Sequence, residues 1–195
     1  MQRGFKAAAK KLSLELRAEV GLKATDQFDP YQMAELYGIQ VHRLSELNCS
    51  EEARDHFMDI NPRALSGALI PIGSKLAILD HDGHSVARRR ATLSHEISHV
   101  VLEHHFSNSA LLDSFGCRTS DPEQEEEATE LSGELLVPFS AALVMARKGH
   151  DDETVALAMG VSVEFARWRM NASGARKIAS RGRRRLSTSI HTGAR

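Results

Sequence analysis

Thr92-Leu93-Ser94-His95-Glu96-Ile97-Ser98-His99-Val100-Val101-Leu102-Glu103-His104 is the stretch from which the rest of the chain can be read. Leu93, Ile97, Val100 and Val101 recur at helical spacing, which predicts an amphipathic helix with one buried face. His95 and His99, four apart, lie one turn above the other on a different face and can reach a single ion. Glu96 projects beside them, where a carboxylate can hold and deprotonate a water. The pattern supplies two ligands and a base. A catalytic zinc also takes a third protein ligand and keeps one open position.

Two sources for that ligand compete. His105 stands six residues after His99, the spacing of the extended motif in which a glycine turns the chain back to the metal. Leu102 occupies the glycine position here, and a continuing helix aims His105 away. The other source is the acidic run Glu123, Glu125, Glu126, Glu127, Glu130 and Glu134. A helix with Ala128, Leu131 and Leu135 on its inner face places Glu127 at the edge of that face. The remaining acids read as a solvated surface.

Around this core the chain is ordinary for a soluble protein: 195 residues, 42% hydrophobic, 26% charged, net charge −1. That is enough chain for one globular domain with a small appendage. Cys49 and Cys117 are too few for a disulfide framework and suit a reducing cytosol. No secretory signal or membrane-spanning run is apparent, so a cytoplasmic location is expected. Charge is unevenly spread: seven acids and no Lys or Arg lie between Asp121 and Glu134, and seven Lys/Arg and no acid between Ser173 and Arg195. The basic tail is read as a solvated end able to make weak nucleic-acid contact.

In order, residues 6–20 predict a helix with Ala8, Leu12, Leu14, Leu16 and Val20 on its apolar face. Asp29-Pro30 starts a second, with Met33, Ala34 and Tyr37 inward and Gly38 as the stop. Residues 39–44 alternate as a strand. Ala68–Ile72 and Lys75–Asp80, separated by Gly73-Ser74, predict a hairpin with Pro71 on an edge or at a strand end. The long helix runs from Val86 to about His104, capped by Ser85 or Asp82. His81, His84, His104 and His105 read as surface histidines and as candidates for stabilising an oxyanion. Further helices follow at 123–137 and 139–148, the latter closed by Gly149. Two short helices around Gly160, with Ser162 as a cap, partly match a helix-turn-helix; Arg169 stands where that motif buries an apolar side chain.

Two of these stretches together resemble the ImmA/IrrE family of zinc metallopeptidases. Arg88-Arg89-Arg90-Ala91-Thr92-Leu93-Ser94-His95-Glu96-Ile97-Ser98-His99 is similar to the family's Arg-x-Arg-Phe-Thr-x-x-His-Glu-x-x-His. Glu127-Ala128-Thr129-Glu130-Leu131-Ser132-Gly133-Glu134-Leu135-Leu136-Val137-Pro138 is similar to its Glu-Ala-Asn-x-Phe-Ala-x-x-Leu-Leu-x-Pro. Ala91, Thr129 and Leu131 depart from it, and Thr129 leaves Glu126 as an alternative register. The resemblance implies His95, His99 and Glu127 as metal ligands, Zn2+ as cofactor and Glu96 as general base. It implies an α+β fold: a mostly helical, zincin-like metallopeptidase domain over 1–150 with a small three-stranded sheet. A helix-turn-helix-like segment at 151–172 and a basic tail at 173–195 complete the expected organisation. Relatives of this kind cut a helix-turn-helix repressor, so the expected activity is zinc-dependent endopeptidase and the expected partner such a repressor. The alternative is a non-proteolytic module binding a repressor or DNA around a structural or vestigial metal site. The intact Glu96 speaks against it, because a structural site needs no base.

Overall fold

The computed structural model describes residues 1–73, 75–104 and 121–182. Its elements are α1 (Phe5–Glu19), α2 (Pro30–Leu36), β1 (Gln40–Arg43), α3 (Glu51–Asp55), β2 (Gly67–Ile72), β3 (Lys75–Asp80), α4 (Val86–Val101), α5 (Pro122–Leu136), α6 (Phe139–Lys148), α7 (Asp152–Met159) and α8 (Val163–Ala172). The fold is α+β, mostly helical with one small mixed sheet, as expected. His105, Cys117 and the tail beyond residue 182 lie outside the described residues. No single described helix is long and apolar enough to cross a membrane.

The chain forms two compact units interleaved in sequence: Met1–Leu12 with Asp29–Ser132, and Ser13–Phe28 with Gly133–Arg195. This is a different division from the segments at 1–150, 151–172 and 173–195.

In the first unit β3 is the central strand. It pairs antiparallel with β2, from Gly67 opposite Asp80 to Ile72 opposite Lys75, and parallel with β1, where Val41 faces Ile78. The predicted hairpin forms, with Gly73 left-handed at φ 62° where a side chain would strain the turn. Asp80 ends β3 fully buried. It accepts from the Tyr31 hydroxyl at 2.8 Å and from Arg89 Nε at 3.1 and 3.2 Å, so one carboxylate ties α2 and α4 to the sheet. Burial and Asp80 push the Tyr31 hydroxyl up to about 12, and Asp80 raises Arg89. Asp29 caps α2 by accepting from Tyr31 N at 3.0 Å, and Met33 and Ala34 are buried. Tyr37, expected inward, is 40% exposed because the helix ends one residue before it.

Ser85 caps α4, while Asp82 accepts from the Ser45 amide instead. His81 and His84, read as surface residues, stack at 3.8 Å. Each places Nε2 2.8 Å from a backbone carbonyl, of Phe57 and Pro62 respectively, which tethers the turn after α3.

The second unit is built around buried arginines. Ser13, Leu16 and Arg17 form the inward face of α1, whereas Ala8 and Leu14 of the expected face are exposed. Arg17 donates to the carbonyls of Leu135 at 2.5 Å, Lys23 at 2.8 Å and Asp26. Burial lowers its guanidinium to about 10. Arg169, on α8, is likewise fully buried, where the motif wants an apolar side chain. It pairs with Glu134 and donates Nε–H to the Val137 carbonyl at 3.1 Å, while Glu134 accepts from Phe139 N at 2.7 Å. Glu134 is therefore a core residue and not part of a solvated acidic face. α7 and α8 meet through left-handed Gly160 (φ 64°), and Ser162 caps α8 by accepting from Phe165 N. Asp152 gathers Arg167 and Arg176, which hold its carboxyl below the ordinary range.

Candidate metal centre

α4 is anchored before it reaches the site. Ser85 fixes its first turn, Arg89 ties it to Asp80, and Leu93 and Ile97 are buried on its inner face. A Cβ on Gly67 would stand 2.5 Å from Thr92 Cγ2 and 2.9 Å from the Leu79 carbonyl, so the start of β2 lies directly against the turn preceding His95. The helix so fixed presents His95 and His99 together, with Nε2 atoms 3.1 Å apart and ring centroids 4.7 Å apart.

The carboxylate that meets this pair belongs to Glu125. Its Oε2 lies 3.1 Å from His95 Nε2 and its Oε1 3.5 Å from His99 Nε2. His95, His99 and Glu125 offer ligand atoms within 4.8 Å of one another, the one such group among the described residues. Two nitrogen ligands about 2.0–2.1 Å from a tetrahedral zinc stand about 3.3–3.4 Å apart. The observed separations match that spacing, so the residues fit a zinc-sized ion. The His99 side chain is 4% exposed, against 27% for His95 and 36% for Glu125. The cluster thus has a buried floor and a rim open to water or substrate.

Glu127 is placed differently. Its side chain is 11% exposed, its Oε2 lies 3.6 Å from His104 Nε2, and its Oε1 accepts from Gln2 N at 3.1 Å. Glu126 points outward, with its side chain 65% exposed. Glu96 is 5% exposed.

The end of α4 departs most from expectation. The helix stops at Val101, and Leu102 N bonds the Ser98 carbonyl. Glu103 then adopts a left-handed conformation (φ 53°), and His104 N bonds back to the His99 carbonyl at 3.1 Å. This is the reversal that glycine usually makes after a helix. It folds His104 onto His99, Nδ1 to Nδ1 at 2.9 Å, and buries it to 9% exposure. His104 is a partner of the site and not the surface histidine its sequence context suggests.

Sequence reasoning named Glu125 only as one acid among six. Three residues before Ala128, it lies as close to the buried stripe as Glu127 does, four before Leu131. Periodicity alone does not separate them.

A histidine pair with a carboxylate and a buried glutamate one residue along defines a candidate metallohydrolase centre. The chain matches the model of the IrrE N-terminal-like domain, the Peptidase_M78 family, over residues 34–171, and it belongs to that family. The matched span contains both histidines, Glu96 and the whole acidic helix. No curated protein matches the chain.

Proposed function

We propose that this chain is a zinc-dependent endopeptidase. The observation that carries the reading is the convergence of His95 and His99 Nε2 with the Glu125 carboxylate at 3.1–3.5 Å, one residue away from Glu96, in a peptidase-family domain. His95, His99 and Glu125 would hold the ion. Zinc bound there would supply Lewis-acid polarisation of the scissile carbonyl and a water acidic enough to react near neutral pH.

The protein's own work falls to Glu96. Its carboxylate accepts the proton from the attacking water as oxygen bonds to the carbonyl carbon. It then delivers that proton to the amide nitrogen as the carbon–nitrogen bond breaks, acting as base and then as acid. The open rim at His95 and Glu125 admits the substrate. β2, paired only with β3 among the described residues, offers a sheet edge on which an extended peptide can add as a strand. Pro71 on that strand has no amide hydrogen to donate.

The substrate class follows from the family resemblance: a helix-turn-helix repressor, cut to relieve repression. The proposal extends to a weak nucleic-acid contact through the basic end of the chain. Arg176 there is already paired with Asp152. The test incubates zinc-loaded protein with purified helix-turn-helix repressors from the same organism, next to Glu96→Gln. Wild type is expected to give discrete fragments and the variant to cut at least about 10²–10⁴-fold more slowly. Identical products from both would end the enzyme reading.

A further inference from the structure

The left-handed turn at Glu103 brings a third histidine to the site, and the hydrogen-bond arithmetic assigns it a role. His99 faces the cluster through Nε2, so as a ligand it must carry its proton on Nδ1. That Nδ1 has His104 Nδ1 at 2.9 Å. Two ring nitrogens at this distance share one proton, and if His99 donates, His104 Nδ1 must accept. The His104 proton then sits on Nε2, the atom that faces Glu127 Oε2 at 3.6 Å. Donor and acceptor roles thus agree between His99 and His104, and the Glu127 carboxylate faces the His104 Nε2 proton at ion-pair distance, beyond hydrogen-bond length.

We propose that His104 is a positioning residue that fixes the tautomer and ring plane of His99 for metal binding, with Glu127 orienting His104 from behind. Metal-ligating histidines commonly donate their second ring N–H to a carboxylate or carbonyl. Here a buried histidine takes that place and a buried carboxylate stands beyond it. The arrangement needs the chain reversal: without the left-handed residue at 103, a continuing helix would carry His104 away from His99. It also gives Glu127 a role that does not require it to reach the ion. The inference rests on the metallopeptidase reading and on Glu125 as third ligand.

The test uses the full-length chain and reads the metal-free protein first. Two-bond nitrogen–hydrogen correlation spectra are expected to show His99 protonated at Nδ1 and His104 at Nε2. Zinc affinity, by chelator competition, is expected to fall about 10–100-fold in His104→Leu, as for other second-layer partners of metal ligands. The visible spectrum of the cobalt-substituted variant is expected to change with it. His104→Asn, whose amide oxygen can accept from His99 Nδ1–H, should return affinity to within a few-fold of wild type. Proton location in the wild type decides the matter even if His104→Leu fails to fold: His99 protonated at Nε2 would overturn the proposal. So would a folded His104→Leu with unchanged affinity and an unchanged cobalt spectrum. A wild type that takes up no zinc would overturn the metallopeptidase reading and this inference together, whereas the other two results overturn this inference alone.

Discussion

Glu125 and Glu127 stand two residues apart on α5, roughly 200° around the helix from one another, and their carboxylates meet different histidines. Glu125 closes on His95 and His99; Glu127 sits behind, against His104. Substitution separates their roles. Glu125→Ala is expected to bring bound zinc, measured by elemental analysis after desalting, close to zero. Glu127→Ala is expected to retain the ion at reduced affinity. The reverse pattern would return the third ligand to Glu127, as the family resemblance implies. Glu96→Gln belongs to the same scale but moves a different quantity: metal content should stay at wild-type level while turnover collapses, because the base does not hold the ion.

Helix ends and buried arginines carry the next scale. Glu103 is the one non-glycine residue at positive φ among the described residues. Left-handed backbone costs about 1–2 kcal/mol for an L-residue, more for a β-branched one. Glu103→Gly should therefore hold or slightly raise stability to urea with zinc affinity intact. Glu103→Ile should lose about 1–2 kcal/mol and weaken zinc binding along with it, since His104 is carried by that turn. In the second unit Arg169 and Glu134 are both essentially without solvent exposure. Removing one partner leaves a buried charge uncompensated, a cost of about 3–5 kcal/mol. Arg169→Met is expected to fall in that range by denaturant unfolding. Adding Glu134→Gln, which retains an acceptor for Phe139 N–H, should recover a substantial part. If the double variant is no more stable than the single, the charge pairing is not what Arg169 contributes.

For the whole molecule, the cluster lies entirely within the unit formed by Met1–Leu12 and Asp29–Ser132. Metal binding to the folded state stabilises by mass action, about 2.7 kcal/mol at free zinc 100-fold above its dissociation constant. Adding zinc to chelator-treated protein should thus raise the unfolding transition of that unit in calorimetry. His99→Ala should abolish the increase. A zinc-dependent shift that survives His99→Ala would place the stabilising ion elsewhere.

The features that are local in the chain were legible in its residues alone. His95, Glu96 and His99 share a turn, the Ser85 and Asp29 caps act over two or three residues, and the Gly73-Ser74 hairpin is set by its own turn chemistry. Alternation and 3.6-residue periodicity report such short-range geometry directly. Family membership was legible for the same reason, because its motifs are contiguous. The choice between Glu125 and Glu127 was not, since it depends on the rotation of α5 about its axis against α4, and both residues border the same apolar stripe. Nor was the burial of His104, which hangs on one left-handed residue where no glycine marks the turn. Arg17 and Arg169 are held in the core by carbonyls and by the Glu134 carboxylate, partners that no local pattern around either arginine announces. A buried polar side chain is settled by partners remote in sequence, and only the tertiary structure brings those partners together.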